Sequence, residues 1–281
     1  MRLAQIRNGG GIVAAIREGE GFRPIPGYTA ASLLAEADAR GTSLRDLAAG
    51  RAGEHVVRAE AVIPVQPVEV WACGCTYAPS AEFRDGELGT SDGMYSYVYR
   101  PENRPEIFFK GTSRVCVGPN EAIGIRMDST FTAPEPELGI VIGSRCEILG
   151  YTLGNDVSAW DIERENALYL PQSKVYTACC SLGPVLVTPD EIPDPYSLDM
   201  TCTIVRDGKE TFSGSVSTGK LIRKFEELVD CVARSNTLPT PTVILTGTGI
   251  IVEQGAALRA GDVCSISVPE IGTLSNPARL V

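Results

Sequence analysis

Two prolines two residues apart constrain this chain more than any other feature. Residues 134 to 156 read P-E-P-E-L-G-I-V-I-G-S-R-C-E-I-L-G-Y-T-L-G-N-D. Pro134 and Pro136 fix their own φ and push the residues before them out of the helical region, so the segment has to run extended. On extended chain, residues two apart point to the same face. Glu135 and Glu137 therefore look the same way, ahead of an apolar run suited to a buried strand. A turn centred on Ser144-Arg145 would return the chain as a hairpin and set residues 152 to 156 beside the two glutamates. Asp156 then joins them. Three carboxylates converging on strand ends repel one another unless a cation holds them. Such hard oxygen ligands suit Mg²⁺, Mn²⁺ or Ca²⁺ rather than zinc.

The 281 residues are 43% hydrophobic, enough for a large core with a small appendage. The formal net charge of -10 argues against nucleic acid and anionic membrane as partners. It leaves room for a small anionic substrate, because a bound cation reverses the local field. No apolar run is long enough to span a bilayer, and the start M-R-L-A-Q-I-R-N-G-G-G lacks a signal-peptide core. Nine cysteines, an odd number without any C-x-x-C, read as reduced residues of a cytoplasmic protein. The single histidine, His55, rules out His-rich metal sites and makes a Cys-His hydrolase a poor fit.

Residues 1 to about 65 read as a small N-terminal α/β domain, and 66–281 as the main, catalytic domain. M-R-L-A-Q-I-R and G-I-V-A-A-I-R flank N-G-G-G, a hairpin signal. Two short helices follow, one ended by Gly41 and one from the Ser43 cap to Gly50. Val62 to Val68, with two prolines, reads as a linker. Beyond it come short β-runs and a tight Asp207-Gly208 turn. One helix is expected from about Thr218 to Arg234, with Ser217 as cap and Leu221, Phe225, Leu228, Val229 and Val232 on one face. The fold class is α+β and β-rich. The apolar stretches around the proline-rich 184–196 segment are candidate interface material for a homodimer, cyclic pairs being the commonest oligomers.

The run P-E-P-E-L-G-I-V-I-G followed by G-Y-T-L-G-N-D-V-S resembles the fumarylacetoacetate hydrolase family, and the similarity continues from about Trp71 to Thr248. The resemblance implies a mixed β-roll in which Glu135, Glu137 and Asp156 hold the catalytic divalent metal. It also implies a functional lysine at Lys174, in L-Y-L-P-Q-S-K-V-Y, whose pKa should fall beside a bound cation in a poorly solvated pocket. Glu106, in R-P-E-I-F-F-K-G-T, matches the glutamate of the sugar-acid dehydratase branch thought to take part in proton transfer. Lys110, Thr112, Gln172, Thr248 and Ser80 are the implied substrate contacts. The hydrolase branch carries a His where this chain has Ser80, a Glu where it has Phe83, and an Arg where it has Trp160. Without that His-Glu pair the usual water-activating base is missing.

Glu163-Arg-Glu165-Asn166-Ala-Leu-Tyr-Leu-Pro-Gln-Ser-Lys resembles the branch that dehydrates 2-keto-3-deoxy sugar acids, such as 2-dehydro-3-deoxy-D-arabinonate. The expected reaction is a metal-dependent β-elimination on a small 2-oxoacid, a hydro-lyase reaction. Lys174 is favoured as base and Glu106 as acid, with the reverse open. The alternatives are an acylpyruvate hydrolase, a 2-oxoacid tautomerase or decarboxylase, and a silent metal-binding homologue.

Overall fold

The computed structural model describes residues 1–88 and 93–281. Its centre is the expected hairpin. Strands Pro136–Ile142 and Ile148–Asp156 pair antiparallel, with Leu138 opposite Leu153 and Glu137 opposite Gly154. The turn falls at Ser144-Arg145, closed by Gly143 N–H to the Glu147 carbonyl at 3.1 Å. Asp156 N–H reaches the Glu135 carbonyl at 3.0 Å. The parity read from the sequence is therefore the parity of the fold, and Glu135, Glu137 and Asp156 share a face.

A long mixed sheet is built around this hairpin. Its order is Gly21–Ile25, Gly11–Glu18, Arg2–Asn8, Cys180–Val187, Ile148–Asp156, Pro136–Ile142, Thr242–Leu245, Glu69–Gly74 and Glu106–Gly111. The N-terminal strand adds directly to this sheet, Leu3 opposite Leu186. The 62–68 segment is packed against it, with Val62 and Val65 buried. A second sheet runs Lys209–Ser217, Asp199–Arg206, Val263–Val268, Gly272–Leu280 and Ile123–Ile125.

Both faces of the long sheet are covered. Leu138, Ile140, Leu153 and Val185 face a core shared with Cys202, Ile204, Ile266 and Leu274 of the second sheet. Val141, Leu182, Leu186, Val243 and Leu245 face the opposite way, into a core with Leu33 and Leu34 of helix Ala30–Arg40. Burial on both faces explains why G-I-V-I-G reads as a continuous apolar run.

Several local expectations hold. Asn8 and Gly11 close the first hairpin, Gly41 ends its helix in the left-handed conformation, and Ser43 caps helix Leu44–Arg51. Others are corrected. Gly50 lies inside that helix, which ends at Ala52. The helix expected over 218–234 is shorter. Ser217 caps a single 3-10 turn, Thr218–Lys220, and the α-helix is Phe225–Ala233. Arg223 lies between the two. Its buried guanidinium donates to the carbonyls of Val98, Arg100 and Asn103 at 2.8–2.9 Å, which a continuous helix would not allow. Residues 66–281 also contain helices Ala78–Leu88, Met94–Tyr99, Trp160–Glu165 and Leu170–Lys174 besides the one expected. The apolar residues of 184–196 belong to the core: Val185, Leu186, Val187 and Ile192 are all buried. They are not free to form an interface. Among the described residues no helix is long and apolar enough to cross a membrane.

Candidate active site

The three carboxylates meet where the hairpin ends. Ligand oxygens of Glu135, Glu137 and Asp156 all lie within 4.8 Å of one another. Glu137 and Asp156 are 1% exposed. The Thr246-Gly247-Thr248 turn fixes Glu137: the Gly247 N–H donates to Glu137 Oε2 at 2.5 Å. Gly247 has φ +94°, and a Cβ there would meet Thr76 Oγ1 at 2.0 Å, so only glycine brings this N–H to the carboxylate.

The electrostatics of this cluster are those of a cation centre. Burial, together with the charges of Asp156 and Glu135, pushes Glu137 well above the usual carboxylate range. Burial also acts to raise Asp156, but Lys110 and Lys174 outweigh it and hold Asp156 below its ordinary value. Asp156 Oδ1 is buried without an aligned hydrogen bond, although the Lys110 ammonium is ion-paired with it. Around the cavity stand five carboxylates, Glu106, Glu135, Glu137, Asp156 and Glu163, and three cations, Arg84, Lys110 and Lys174. With every group ionised, two negative charges remain, the amount one divalent ion neutralises. The donors are all carboxylate oxygens. The neighbouring thiols do not compete, since burial pushes Cys75 up to about 12 and Cys73 well above its ordinary value. The residues present therefore fit a hard divalent cation.

Lys174 ends helix Leu170–Lys174 and is 2% exposed. Its ammonium donates to Glu135 Oε1 at 2.8 Å, Asp156 Oδ2 at 3.2 Å and Ser158 Oγ at 2.6 Å. Burial works to lower its pKa, but Asp156 and Glu135 outweigh burial and raise it.

Glu106 opens its strand opposite Gly74. Its Oε2 accepts from Arg84 Nη1 at 2.6 Å. The carboxylate lies where a Cβ on Gly74 would be, 2.0 Å from that position. Gly74 and Arg84 line the cavity together with Cys75, Ser80, Phe83, Phe108, Glu135, Asp156, Trp160, Lys174 and Thr248. Glu106 itself borders a second depression beside Met94, Val98 and Leu170.

Of the implied substrate contacts, Ser80 and Thr248 face the cavity. Thr248 Oγ1 already accepts from Ile250 N–H at 3.2 Å, and the Gly247 N–H is committed to Glu137. Three contacts are corrected. Lys110 is fully buried, ion-paired with Asp156, and donates to the Val157 carbonyl at 3.0 Å, so it does not line the cavity. Thr112 is exposed beyond Gly111, whose strand partner is Val70, at the end of the strand away from Glu106. The side chain of Gln172 is exposed, and its carbonyl accepts from Arg126 at 2.8 Å. Phe83 and Trp160, two positions where the chain departs from the hydrolase pattern, pack on each other with ring centroids 5.5 Å apart. Arg84 and Glu163 are both buried and paired with each other; Glu163 opens the run that resembles the dehydratase branch, whereas Arg84 belonged to no motif. A charged residue beside Phe83 on an otherwise mixed helix was the one available hint.

Geometry of this kind defines a mixed β-roll with an all-carboxylate cation centre at its strand ends. Residues 86–279 match the family described as fumarylacetoacetate (FAA) hydrolase, C-terminal, and the chain belongs to the fumarylacetoacetate hydrolase family. It is 49% identical over 221 residues to a protein of Haloferax volcanii named probable 2-keto-3-deoxyxylonate dehydratase, covering 79% of this chain and 75% of that one. It is 48% identical over 221 residues to 2-dehydro-3-deoxy-D-arabinonate dehydratase of Saccharolobus solfataricus, covering 77% of this chain and 73% of the relative. Among solved structures, 2-keto-3-deoxy-D-arabinonate dehydratase complexed with magnesium and 2,5-dioxopentanoate superposes with a TM-score of 0.85 at 37% identity, over 100% of this chain and 99% of that one.

Proposed function

We propose that this protein is a Mg²⁺-dependent hydro-lyase that dehydrates a 2-keto-3-deoxy sugar acid. What carries the reading is a three-carboxylate cluster bonded to Lys174, with Glu106 held beside the cavity by Arg84 and no imidazole in the lining. His55 is exposed on a distant loop. Relatives at 48–49% identity carry dehydratase names, and the magnesium complex of a structural relative supplies the metal.

Glu135, Glu137 and Asp156 would hold the Mg²⁺, with Mn²⁺ or Ca²⁺ as chemically similar occupants. When bound, the ion supplies Lewis-acid stabilisation of the negative charge that develops on the 2-oxo oxygen. We read the roles in the reverse order that the sequence left open, with Glu106 as base and Lys174 as acid, because Arg84 pairs with Glu106 and Lys174 donates to three oxygens. Glu106 takes the proton from C3, and the C3–H electron pair passes into the enolate. The C4–O bond then breaks as Lys174 delivers a proton, and the hydroxyl leaves as water. The 2-oxoacid keeps a new C3–C4 double bond. Ser80 and Thr248 lie where they can hydrogen-bond the substrate.

The test is turnover on a panel of 2-keto-3-deoxy acids with Mg²⁺, together with exchange of the C3 protons with D₂O. Glu106→Gln should abolish both exchange and dehydration, and Lys174→Met should keep exchange while losing dehydration by about 10²–10⁴-fold. Exchange surviving in Glu106→Gln and vanishing in Lys174→Met would restore the opposite assignment. Wild-type rates in both variants would remove the two residues from the mechanism. A homodimer in the cytoplasm completes the proposal, and light scattering that reports a monomer at all concentrations would contradict the dimer.

A further inference from the structure

Arg84, in the cavity wall, touches carboxylates from two separate elements. It is carried on helix Ala78–Leu88 and is 6% exposed. Nη1 donates to Glu106 Oε2 at 2.6 Å, and Nη2 pairs with Glu163 Oε1 of helix Trp160–Glu165. The guanidinium Cζ lies 4.3 Å from the centre of the Tyr95 ring and 5.7 Å from that of Trp160. Glu163 is fully buried, and its second oxygen lies 3.8 Å from Lys174 Nζ and 3.4 Å from Ser173 Oγ. One continuous line of charge therefore runs Glu106, Arg84, Glu163, Lys174.

A carboxylate with no access to water is strongly unfavourable unless it is paired. Glu163 meets that condition through Arg84 on one oxygen and Lys174 on the other. A planar fork can hold two carboxylates in set directions, which a lysine ammonium on a flexible stem does not reproduce.

We propose that Arg84 is a positioning residue that sets both proton-transfer groups at once, Glu106 directly and Lys174 through Glu163. The proposal rests on the dehydratase reading for the roles of Glu106 and Lys174, and it concerns the residue that holds them in register. Arg84 has no hydrogen bond or ion pair with Glu135, Glu137 or Asp156 among the described contacts. Its loss should slow proton transfer and leave cation binding alone.

The experiment compares wild type with Arg84→Met, Arg84→Lys and the double variant Arg84→Met/Glu163→Gln, all loaded with Mg²⁺. Four quantities are read: kcat and KM for dehydration, C3 deuterium exchange into 2-oxobutyrate, Mg²⁺ affinity by titration calorimetry, and the melting temperature. In Arg84→Met, kcat and exchange should both fall by roughly 10²-fold, the usual effect of misplacing a reacting group by about 1 Å. KM and Mg²⁺ affinity should stay within about threefold of wild type, well under the tenfold that 1.4 kcal/mol represents. Arg84→Lys should recover less than tenfold of the loss, since charge alone does not restore the fork. The double variant removes the unpaired buried carboxylate, so its melting temperature should move back toward wild type while kcat and exchange stay low.

Wild-type kcat in Arg84→Met or Arg84→Lys overturns the proposal. So does a double variant in which activity returns along with stability, the signature of a merely structural ion pair. Exchange into 2-oxobutyrate needs only enolisation. If wild type exchanges but dehydrates no substrate, the dehydratase reading fails and the Arg84 claim is judged on exchange alone. If wild type does not exchange either, both fall.

Discussion

Gly74→Ala tests the site through a single methyl group. Gly74 is not in a left-handed conformation, so alanine fits its backbone. The added Cβ would stand 2.0 Å from Glu106 Oε2, 2.6 Å from its Cδ and 2.9 Å from Arg84 Nη1. Ordinary contact begins near 3.4 Å, so the Glu106 carboxylate has to retreat by about 1.4 Å. It has room on the side of Met94, Val98 and Leu170. The cost to stability should therefore stay at the low end of overpacking, about 1 kcal/mol. The cost to catalysis is larger, because displacing a reacting group by about 1 Å typically loses about 10²-fold. Dehydration kcat and C3 exchange should fall together by roughly that factor. Mg²⁺ affinity should not change, since neither Gly74 nor Glu106 is a ligand. The assay is steady-state turnover beside NMR-detected exchange and a calorimetric Mg²⁺ titration. A well-folded Gly74→Ala enzyme with wild-type turnover would show that the position of Glu106 has no bearing on the reaction.

Three further outcomes are expected. Glu137→Gln should lose Mg²⁺-dependent activity, and chelation of wild type should abolish turnover that added Mg²⁺ restores; full activity in the variant would remove Glu137 from the centre. Acylpyruvates should be cleaved far below the ordinary kcat range of roughly 1–10³ s⁻¹, because Ser80 and Phe83 supply no water-activating pair; a kcat inside that range refutes this. Asp262 accepts from Arg206 at 2.8 and 2.7 Å and from Arg259 N–H at 2.8 Å. Burial acts to raise its pKa, but these donors outweigh it and hold it below the ordinary 3.8. Its contribution to stability is therefore complete above the unfolded value and is lost as pH falls through the lower folded one. Asp262→Asn should cost about 1.5–3 kcal/mol at neutral pH, and less in acid; an equal loss at pH 7 and pH 3 in denaturant titrations would contradict the linkage.

The carboxylate cluster was legible because Glu135, Glu137 and Asp156 sit on one contiguous hairpin, where strand parity alone decides which way a side chain points. The same logic fails for residues joined only through tertiary contact. Arg84 and Glu163 come from different helices, and nothing local in either helix announces the other. Thr112 and Gln172 were placed by motif proximity. Yet a strand carries residue 112 far from residue 106, and a short helix turns residue 172 outward while residue 174 points in. The helix expected from Thr218 failed at Arg223, an apolar-looking stretch being interrupted by a guanidinium that takes three carbonyls from the 98–103 segment. Periodicity does not register that competition.

The hairpin that carries the ligands is local, whereas the groups that finish the reaction are not. Glu106 reaches it only through the strand Glu69–Gly74, which pairs parallel with Thr242–Leu245 from the far end of the chain. Contacts that close short loops form sooner than those that close long ones. The carboxylate hairpin closes through neighbouring residues, whereas the placing of Glu106 depends on strands far apart in the sequence. The same separation bears on how the chemistry diversifies. A ligand hairpin that is complete in itself can stay unchanged while distant strands and helices bring it different acids, bases or apolar walls. One enolate-forming centre can then serve elimination in one descendant and bond cleavage in another.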